Sequence, residues 1–405
     1  MRVIGWYQIM KTKFQNIVII TDVKWRKSLS AIRALGNGQN YIIAIGDSWL
    51  DMGLWSKYVA KKLIFPSTKS EGGRFAAELL LLLKKCCDIN SAKPILLPME
   101  EETINIVINS REIQNYCKCL IPDKDSFEIA NNKRKTMLCA SRIGIRIPFT
   151  KCYDTPDMAM NFIKEFNDKE WIVKPEESKG SLGFQIIFKD TDVRIVEKLW
   201  SQYGRMIIQE RLPLEGESIC VGLICNKKHE VESYFAYKRL RMFPVNGGPS
   251  TCRISINNSF LVKESCRLMT SLKWTGVAMV EWKKDIRDNS YKLIEINPRF
   301  WGGLELAIKC GVNFPQQCVE LLSRKENSFR NNSYPIGIIS RWTFPGEVLW
   351  LLSNKIGRKE FGDFFNRFFK DSDEWKREDI PGSVATVICQ GLQAMNPKNW
   401  KYLKR

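Results

Sequence analysis

The sequence predicts a mixed fold, α/β in its first part and α+β in its second, closed by a helical extension. Three observations predict it. Over the first 120 residues, short apolar runs alternate with stretches of helical spacing. From about Asp123 the texture changes to many short apolar runs between turns, with helical segments at their flanks. The 405-residue chain, 44% hydrophobic and 26% charged, is long enough for two or three domains that share a core.

The first apolar run, Asn16-Ile17-Val18-Ile19-Ile20-Thr21-Asp22, predicts a buried strand. Helical spacing over 27–35 stops at Gly36, and Tyr41-Ile42-Ile43-Ala44-Ile45-Gly46 predicts a second strand. A helix over 50–61, an apolar run over 62–66, a helix over 75–85 and a strand over 94–98 follow. This alternation predicts a parallel, Rossmann-like sheet within 1–120. No G-x-G-x-x-G follows its first strand, so no dinucleotide is expected there. Further on, helices are predicted over 127–141 and 156–166, around Gly144-Ile145-Arg146-Ile147-Pro148. Strands are predicted over 171–174, 184–188, 206–209, 218–224, 232–237, 276–282 and 291–296, mostly antiparallel. Divisions are expected at 1–120, 121–205, 206–330 and 331–405, the last with helix-like stretches over 346–352 and 361–369.

Composition excludes several classes. No stretch reaches the roughly 18 apolar residues of a membrane span. The opening residues lack a signal peptide's apolar core, so a cytoplasmic protein with reduced thiols is expected from its 13 cysteines. Cys86-Cys87 and Cys117-x-Cys119 have no matching pair at zinc spacing, and the one histidine, His229, falls in a hairpin-turn sequence. The net charge of +19 fits nucleic acid, an anionic membrane surface or acidic substrates. Its cations are dispersed, save for a basic and aromatic cluster at 398–405, and no nucleic-acid module accompanies them.

Chemistry concentrates in three places. Trp171-Ile172-Val173-Lys174-Pro175 delivers a lysine from a strand, and Ser178, Gly180, Ser181 and Gly183 follow in a turn. Glycines let backbone N–H groups approach phosphate oxygens, and Lys174 adds positive charge. The order is not that of a Walker A loop, and alone it also describes an ordinary hairpin. Glu281 and Glu295 sit in strand-like apolar runs, where a bare carboxylate is costly. Glu295, Asn297 and Arg299 alternate, so on a strand they share one face. Hard oxygen ligands at this spacing suit Mg²⁺ between protein and phosphates; structural ion pairs are the alternative. Third, the apolar strand Ile207-Ile208-Gln209-Glu210-Arg211-Leu212-Pro213, with Glu217 beyond, suits a hinge whose backbone edge meets a purine, a signal nonspecific by itself.

The order of these pieces closely resembles the ATP-grasp superfamily. It begins with Asn132-Lys133 and 144–148 and continues with Lys174-Pro175 and its turn. Gln209-Glu210-Arg211-Leu212, Glu281 and Glu295-Ile296-Asn297-Pro298-Arg299 complete it. Lys238-Arg239-Leu240-Arg241, Gly247-Gly248-Pro249-Ser250-Thr251 and Arg299-Phe300-Trp301-Gly302-Gly303 look like its carbamoyl-phosphate-synthase-like carboxylate–amine ligases. The resemblance covers about 120–325 firmly, the preceding αβ region as the superfamily's usual first domain, and the last 80 residues loosely. It implies a two-lobed fold, small lobe 121–205 and large lobe 206–330, and an enzyme that binds ATP and one or two Mg²⁺, Mn²⁺ being admissible. Lys133 and Lys174 then contact phosphates and the 178–183 turn closes over them. Gln209, Glu210 and Leu212 surround adenine, and Glu217 takes the ribose. Glu281, Glu295 and Asn297 hold metal, and Arg299 stabilises an acyl phosphate. Arg239 and Arg241 are candidates for the substrate carboxylate, with an exposed basic strand end as the alternative. One departure is Asn132, where the family commonly has Asp.

The implied reaction joins a small carboxylate to an amine, with an acidic substrate suggested by the charge, and a homodimer is compatible with it. Two competitors remain: another ATP-grasp chemistry, carboxylation or phosphoryl transfer, and a non-catalytic basic binding protein.

Overall fold

The computed structural model describes residues 14–89, 92–166, 169–177, 183–245, 247–323, 333–354, 362, 364 and 366–395. Three sheets organise them.

The first sheet is parallel, with strands β1 (Asn16–Ile20), β2 (Asn40–Gly46), β3 (Val59–Ile64) and β4 (Ile95–Leu97) in the order β3-β2-β1-β4. Its central strands are apolar on both faces because both are covered. Ile17, Ile19, Ile43 and Ile45 meet Phe75, Leu79 and Leu83 of helix α2 (Gly72–Ile89). Val18, Ile20, Ile42 and Ala44 meet Ala31, Ile32 and Leu35 of α1 (Arg26–Leu35). Helix α3 (Glu101–Ile108) follows β4. The helix expected over 50–61 is not there. Only Met52–Trp55 form a 3-10 turn, and Val59 to Ile64 extend as β3. Pairing with the open edge of β2 satisfies six residues of backbone, which outweighs the local helical spacing.

The second sheet is antiparallel, order β5-β8-β6-β7, from β5 (Thr150–Cys152), β6 (Trp171–Pro175), β7 (Gln185–Ile187) and β8 (Met206–Glu210). Before it, the helix expected over 127–141 is two, α4 (Lys124–Asn131) and α5 (Lys133–Arg142). Asn132 breaks it: φ −102° and ψ 114° leave the helical region, and its side chain accepts from the Lys135 N–H. Helices α6 (Pro156–Glu165) and α7 (Val193–Tyr203) pack on this sheet through Ala159, Ile163 and Val196.

The third sheet has six antiparallel strands, order β13-β12-β9-β10-β11-β14. They are β9 (Ser218–Cys225), β10 (Val231–Met242), β11 (Ser250–Ser255), β12 (Gly276–Asp285), β13 (Ser290–Asn297) and β14 (Ile339–Arg341). One face packs on α4, α5 and α8 (Ser259–Ser271) through Phe127, Met137, Leu261 and Leu268. The other joins the core under the first sheet, with α9 (Leu304–Lys309) and α10 (Phe314–Ser323) between. Trp301 fixes the spacing there: a Cβ on Gly222 would lie 2.2 Å from its ring, so only hydrogen fits.

After β14, a kinked turn (Thr343–Glu347) leads into α11 (Val348–Ser353), close to the expected 346–352. The 361–369 stretch overlaps residues outside the described set. Asp371, Asp373 and Glu374 are buried, and α12 (Ile380–Met395) closes the fold against the 3-10 turn through Leu29, Met52 and Cys389. Among the described residues, no helix is long and apolar enough to cross a membrane.

Candidate functional site

The second and third sheets face each other across a cleft with a cavity volume of about 300 Å³. Lys133, Lys174, Gln209, Glu210 and Leu212 line it from one side and from its back. Arg239, Glu281, Glu295, Asn297 and Arg299 line it from the large sheet. Ten of the residues picked out in the sequence therefore meet in one place, although they span more than 160 positions.

Strand register explains the carboxylates. Glu281 on β12 lies directly opposite Glu295 on β13, and a register shift follows at once. Like charges opposite one another repel. Burial pushes the Glu281 carboxyl up, and Glu295 adds to this against Arg239. Burial alone would raise Glu295 too, but Lys133, Lys174 and Arg239 more than offset it and hold it below the usual range. Asn297 bridges the pair, donating from Nδ2 to Glu281 Oε1 and to Glu295 Oε1, each at 3.3 Å. Arg239 binds Glu281 directly, and Lys133 Nζ lies 3.8 Å from Glu295 Oε2. The donor set is two carboxylates and an amide within a cationic frame. It fits a divalent cation with phosphates, because such a cation removes the repulsion that the register creates.

Lys174 comes from β6, and its Nζ donates to Gln209 Oε1 on β8 at 2.9 Å. Burial lowers its ammonium to about 8, with Glu295 opposing and Lys133 assisting. Gln209 in turn donates to Thr150 Oγ1 at 2.8 Å. Glu210 accepts from the Phe149 N–H at 3.0 Å, from Lys292 at 3.1 Å and from Arg287 at 3.4 Å. Burial would raise its carboxyl; the Phe149 amide and Lys292 outweigh this and lower it.

Arg299 lies just past β13. Its Nε donates to Glu101 Oε1 at 2.6 Å and its Nη1 to the Phe300 carbonyl at 2.9 Å, with Glu100 Oε2 3.7 Å away. Lys27 of α1 shares this knot, with Nζ 2.6 Å from Glu100 Oε1 and 3.0 Å from the Phe300 carbonyl. Burial and the nearby Arg299 charge lower the Lys27 ammonium to about 8.

Several expected residues fall elsewhere. Arg241 does not line the cleft. A bulge moves the pairing from Arg239↔Arg253 to Arg241↔Cys252, turning Arg241 to the opposite face. There it holds Glu347, with Nε 3.1 Å from Oε1, and lies 4.7 Å over Trp350. Glu217 is outside the lining, 2.5 Å from Lys238 Nζ and 3.0 Å from the Tyr291 hydroxyl. Gly183, at φ +72°, packs against Pro175 beside Phe184, which does line the cleft. Ser178, Gly180 and Ser181 lie outside the described residues.

Arg26, Tyr237 and Arg253, which the sequence reading missed, line the far end of the cleft beside Trp301, Gly302 and Gly303 of the ligase-like motif. Asp373 reaches this end from the C-terminal part, binding Arg253 and Ser340 and lying 3.4 Å from Arg26 Nη1. Among the described residues, Arg253 Nε and Trp301 Nε1 are buried without a hydrogen-bond acceptor. The acidic run 371–374 was the one available signal, and nothing in it names its distant partners.

Comparison with known proteins accords with this geometry. The family described as "ATP-grasp in the biosynthetic pathway with Ter operon" matches residues 203–338. No curated protein sequence matches. Biotin carboxylase of Campylobacter jejuni, solved as a β,γ-ATP complex, is similar at a TM-score of 0.62 and 15% identity, over 80% of this chain and 74% of that one. The biotin carboxylase domain dimer of Hydrogenobacter thermophilus 2-oxoglutarate carboxylase, solved with MgADP, ADP and bicarbonate, gives 0.62 and 11%, over 81% and 74%. L-amino acid ligase of Bacillus licheniformis gives 0.56 and 14%, over 78% and 75%. At these identities the likeness shows the fold. The chain shares the fold of these enzymes, and its residues 203–338 are similar to the matched ATP-grasp family.

Proposed function

We propose that the chain is an ATP-dependent carboxylate–amine ligase. The facing pair Glu281 and Glu295, bridged by Asn297 and framed by Lys133, Lys174, Arg239 and Arg299, carries this reading. Glu281, Glu295 and Asn297 would hold one or two Mg²⁺, with Mn²⁺ as a substitute. The metal supplies charge neutralisation on the phosphates. Lys133 and Lys174 would hold the phosphates; Ser178, Gly180 and Ser181, expected to close over them, lie outside the described residues. Gln209, Glu210 and Leu212 bound the purine. The Glu210 carboxylate has three partners and its N–H donates to the Phe149 carbonyl at 2.9 Å, so its carbonyl is the edge proposed to meet the purine. Glu217 reaches the ribose only by leaving Lys238 and Tyr291.

In the first step a carboxylate oxygen of the substrate attacks the γ-phosphorus and ADP leaves. Arg239 and Arg299 offset the meeting of negative charges. In the second, an amine nitrogen attacks the acyl carbon, phosphate leaves and the nitrogen loses a proton. Positioning and charge carry the catalysis. On the same reading, residues 1–120 are the preceding domain, 121–205 and 206–330 the two lobes, and 331–405 an extension whose Asp373 contacts the cleft-lining Arg26 and Arg253.

The test is an ADP-release screen of acids against amines, with mass spectrometry of the product. Turnover that needs both substrates and yields an amide is expected. Glu295→Gln should lower it by at least about 100-fold; unchanged turnover would overturn the assignment. A second reading is suggested by the neighbour solved with bicarbonate. There the acid is bicarbonate, and ADP release would depend on it alone or with an amine.

A further inference from the structure

The +19 charge and the last helix are not used by the proposed ligase site. Ile380, Val384, Val387, Ile388, Leu392 and Met395 lie between 42% and 65% exposed. Their spacing puts them on one face of α12. The opposite face is spoken for: Cys389 packs on Leu29 and Met52, and Gln390 accepts from Trp342 Nε1 at 2.8 Å. Alongside runs the segment that carries the 3-10 turn, where Trp49 is 58%, Leu50 53% and Trp55 42% exposed. Among the described residues the exposed tryptophans are Trp25, Trp49 and Trp55, and all belong to this neighbourhood. Trp55 donates from Nε1 to the Trp49 carbonyl at 2.8 Å, and Trp25 lies one turn before Leu29.

Cations stand at the margin of this face. Lys62 Nζ lies 4.3 Å over the Trp55 ring, and Lys24, itself paired with Asp47, lies 6.0 Å over Trp25. Lys57 sits at the start of α12, its N–H donating to Asp379 Oδ1 at 2.9 Å. In the sequence, no acidic residue follows Asp379, whereas Lys398, Lys401, Lys404 and Arg405 do.

We propose that this face docks on an anionic lipid surface, with α12 lying along it. Indole rings and aliphatic side chains enter the headgroup boundary, and surrounding lysines meet lipid phosphates. Charge selects this occupant. Two copies of a +19 chain meeting symmetrically here would bring their lysines together. A nucleic acid offers phosphates but nothing for Ile388, Leu392 and Met395. The helix rests on the surface rather than crossing it.

Full-length protein is sedimented with vesicles of phosphatidylcholine, and with vesicles of phosphatidylcholine mixed with phosphatidylglycerol. Partition into the mixed vesicles alone, weakened by added salt, is expected. The double variant Ile388→Glu with Leu392→Glu, and separately Trp49→Ser with Leu50→Ser, should each weaken partition by at least about tenfold. Unchanged circular dichroism and melting midpoint in either variant keep the comparison fair. Three outcomes overturn the proposal. One is no partition into anionic vesicles. Another is undiminished partition in the folded face variants, including a case where only deletion of 398–405 abolishes it. The third is a dimer in sedimentation velocity that the face variants split, which gives the face to a second copy.

Discussion

At the scale of single residues, the cleft depends on charges that are uncomfortable without a ligand. Lys174 shows this most directly. Burial lowers its ammonium to about 8, and a bound phosphate would raise it again. Binding therefore takes up a proton as pH rises through that value. Nucleotide affinity should fall about tenfold between about pH 7 and about pH 9, since the charged form becomes scarce. Titration calorimetry in buffers of different ionisation enthalpy checks both the affinity and the proton uptake. Arg299 is a second case. Its guanidinium is aimed by Glu101, whose Oε1 accepts from Arg299 Nε at 2.6 Å. Glu101→Gln keeps the shape but removes the charge that orients Arg299. Turnover should fall about tenfold with little change in the KM for ATP, as for a positioning residue. A rise in the KM for ATP alone would contradict that role.

At the scale of elements, strand register and helix breaks decide which side chains meet. Asn132 departs from the family's usual Asp, and the structure supplies a reason. Its Oδ1 accepts from the Lys135 N–H at 3.0 Å, while its Nδ2 donates to Glu176 Oε2 at 3.0 Å and Glu177 Oε1 at 3.3 Å. Only an amide can do both. Asn132→Asp would keep the cap and set a third carboxylate against Glu176 and Glu177. It should cost about 1 kcal/mol in urea unfolding, more than the cap-neutral exchange alone predicts. The bulge in β10 acts in the same way. Without it, Arg239 and Arg241 would share the cleft face, as their spacing in the sequence suggests.

At the scale of the whole molecule, the C-terminal part is wired into the cleft. Asp373 joins Arg26 of α1, Arg253 of β11 and Ser340 of β14. Lys309 reaches the same stretch, donating to the carbonyls of Asp371 at 3.1 Å and Ser372 at 3.3 Å. Asp373→Asn leaves the buried Arg253 without its paired carboxylate, while the half-buried Arg26 keeps Glu374 3.9 Å away. Breaking such a pair typically costs about 3–5 kcal/mol, so the melting temperature should drop measurably and the transition should broaden. An unchanged melting curve would show that these contacts do not couple the parts.

The sequence by itself determined the class of the fold, the alternation of the first sheet and most of the residues that meet in the cleft. Each of these rests on local pattern: apolar runs set strands, and an alternating Glu295-x-Asn297-x-Arg299 sets one face. It misread 50–61 as helix because the partner that makes β3 a strand is Asn40 to Gly46, which no local spacing reveals. It grouped Arg241 with Arg239 because a bulge leaves no mark in the chain itself. Only the tertiary structure decided that Glu281 faces Glu295, that Glu101 aims Arg299 and that Asp373 meets Arg26 and Arg253. The reason is physical. A carboxylate's partner is set by which strands and loops pack together, and packing is a property of the folded whole.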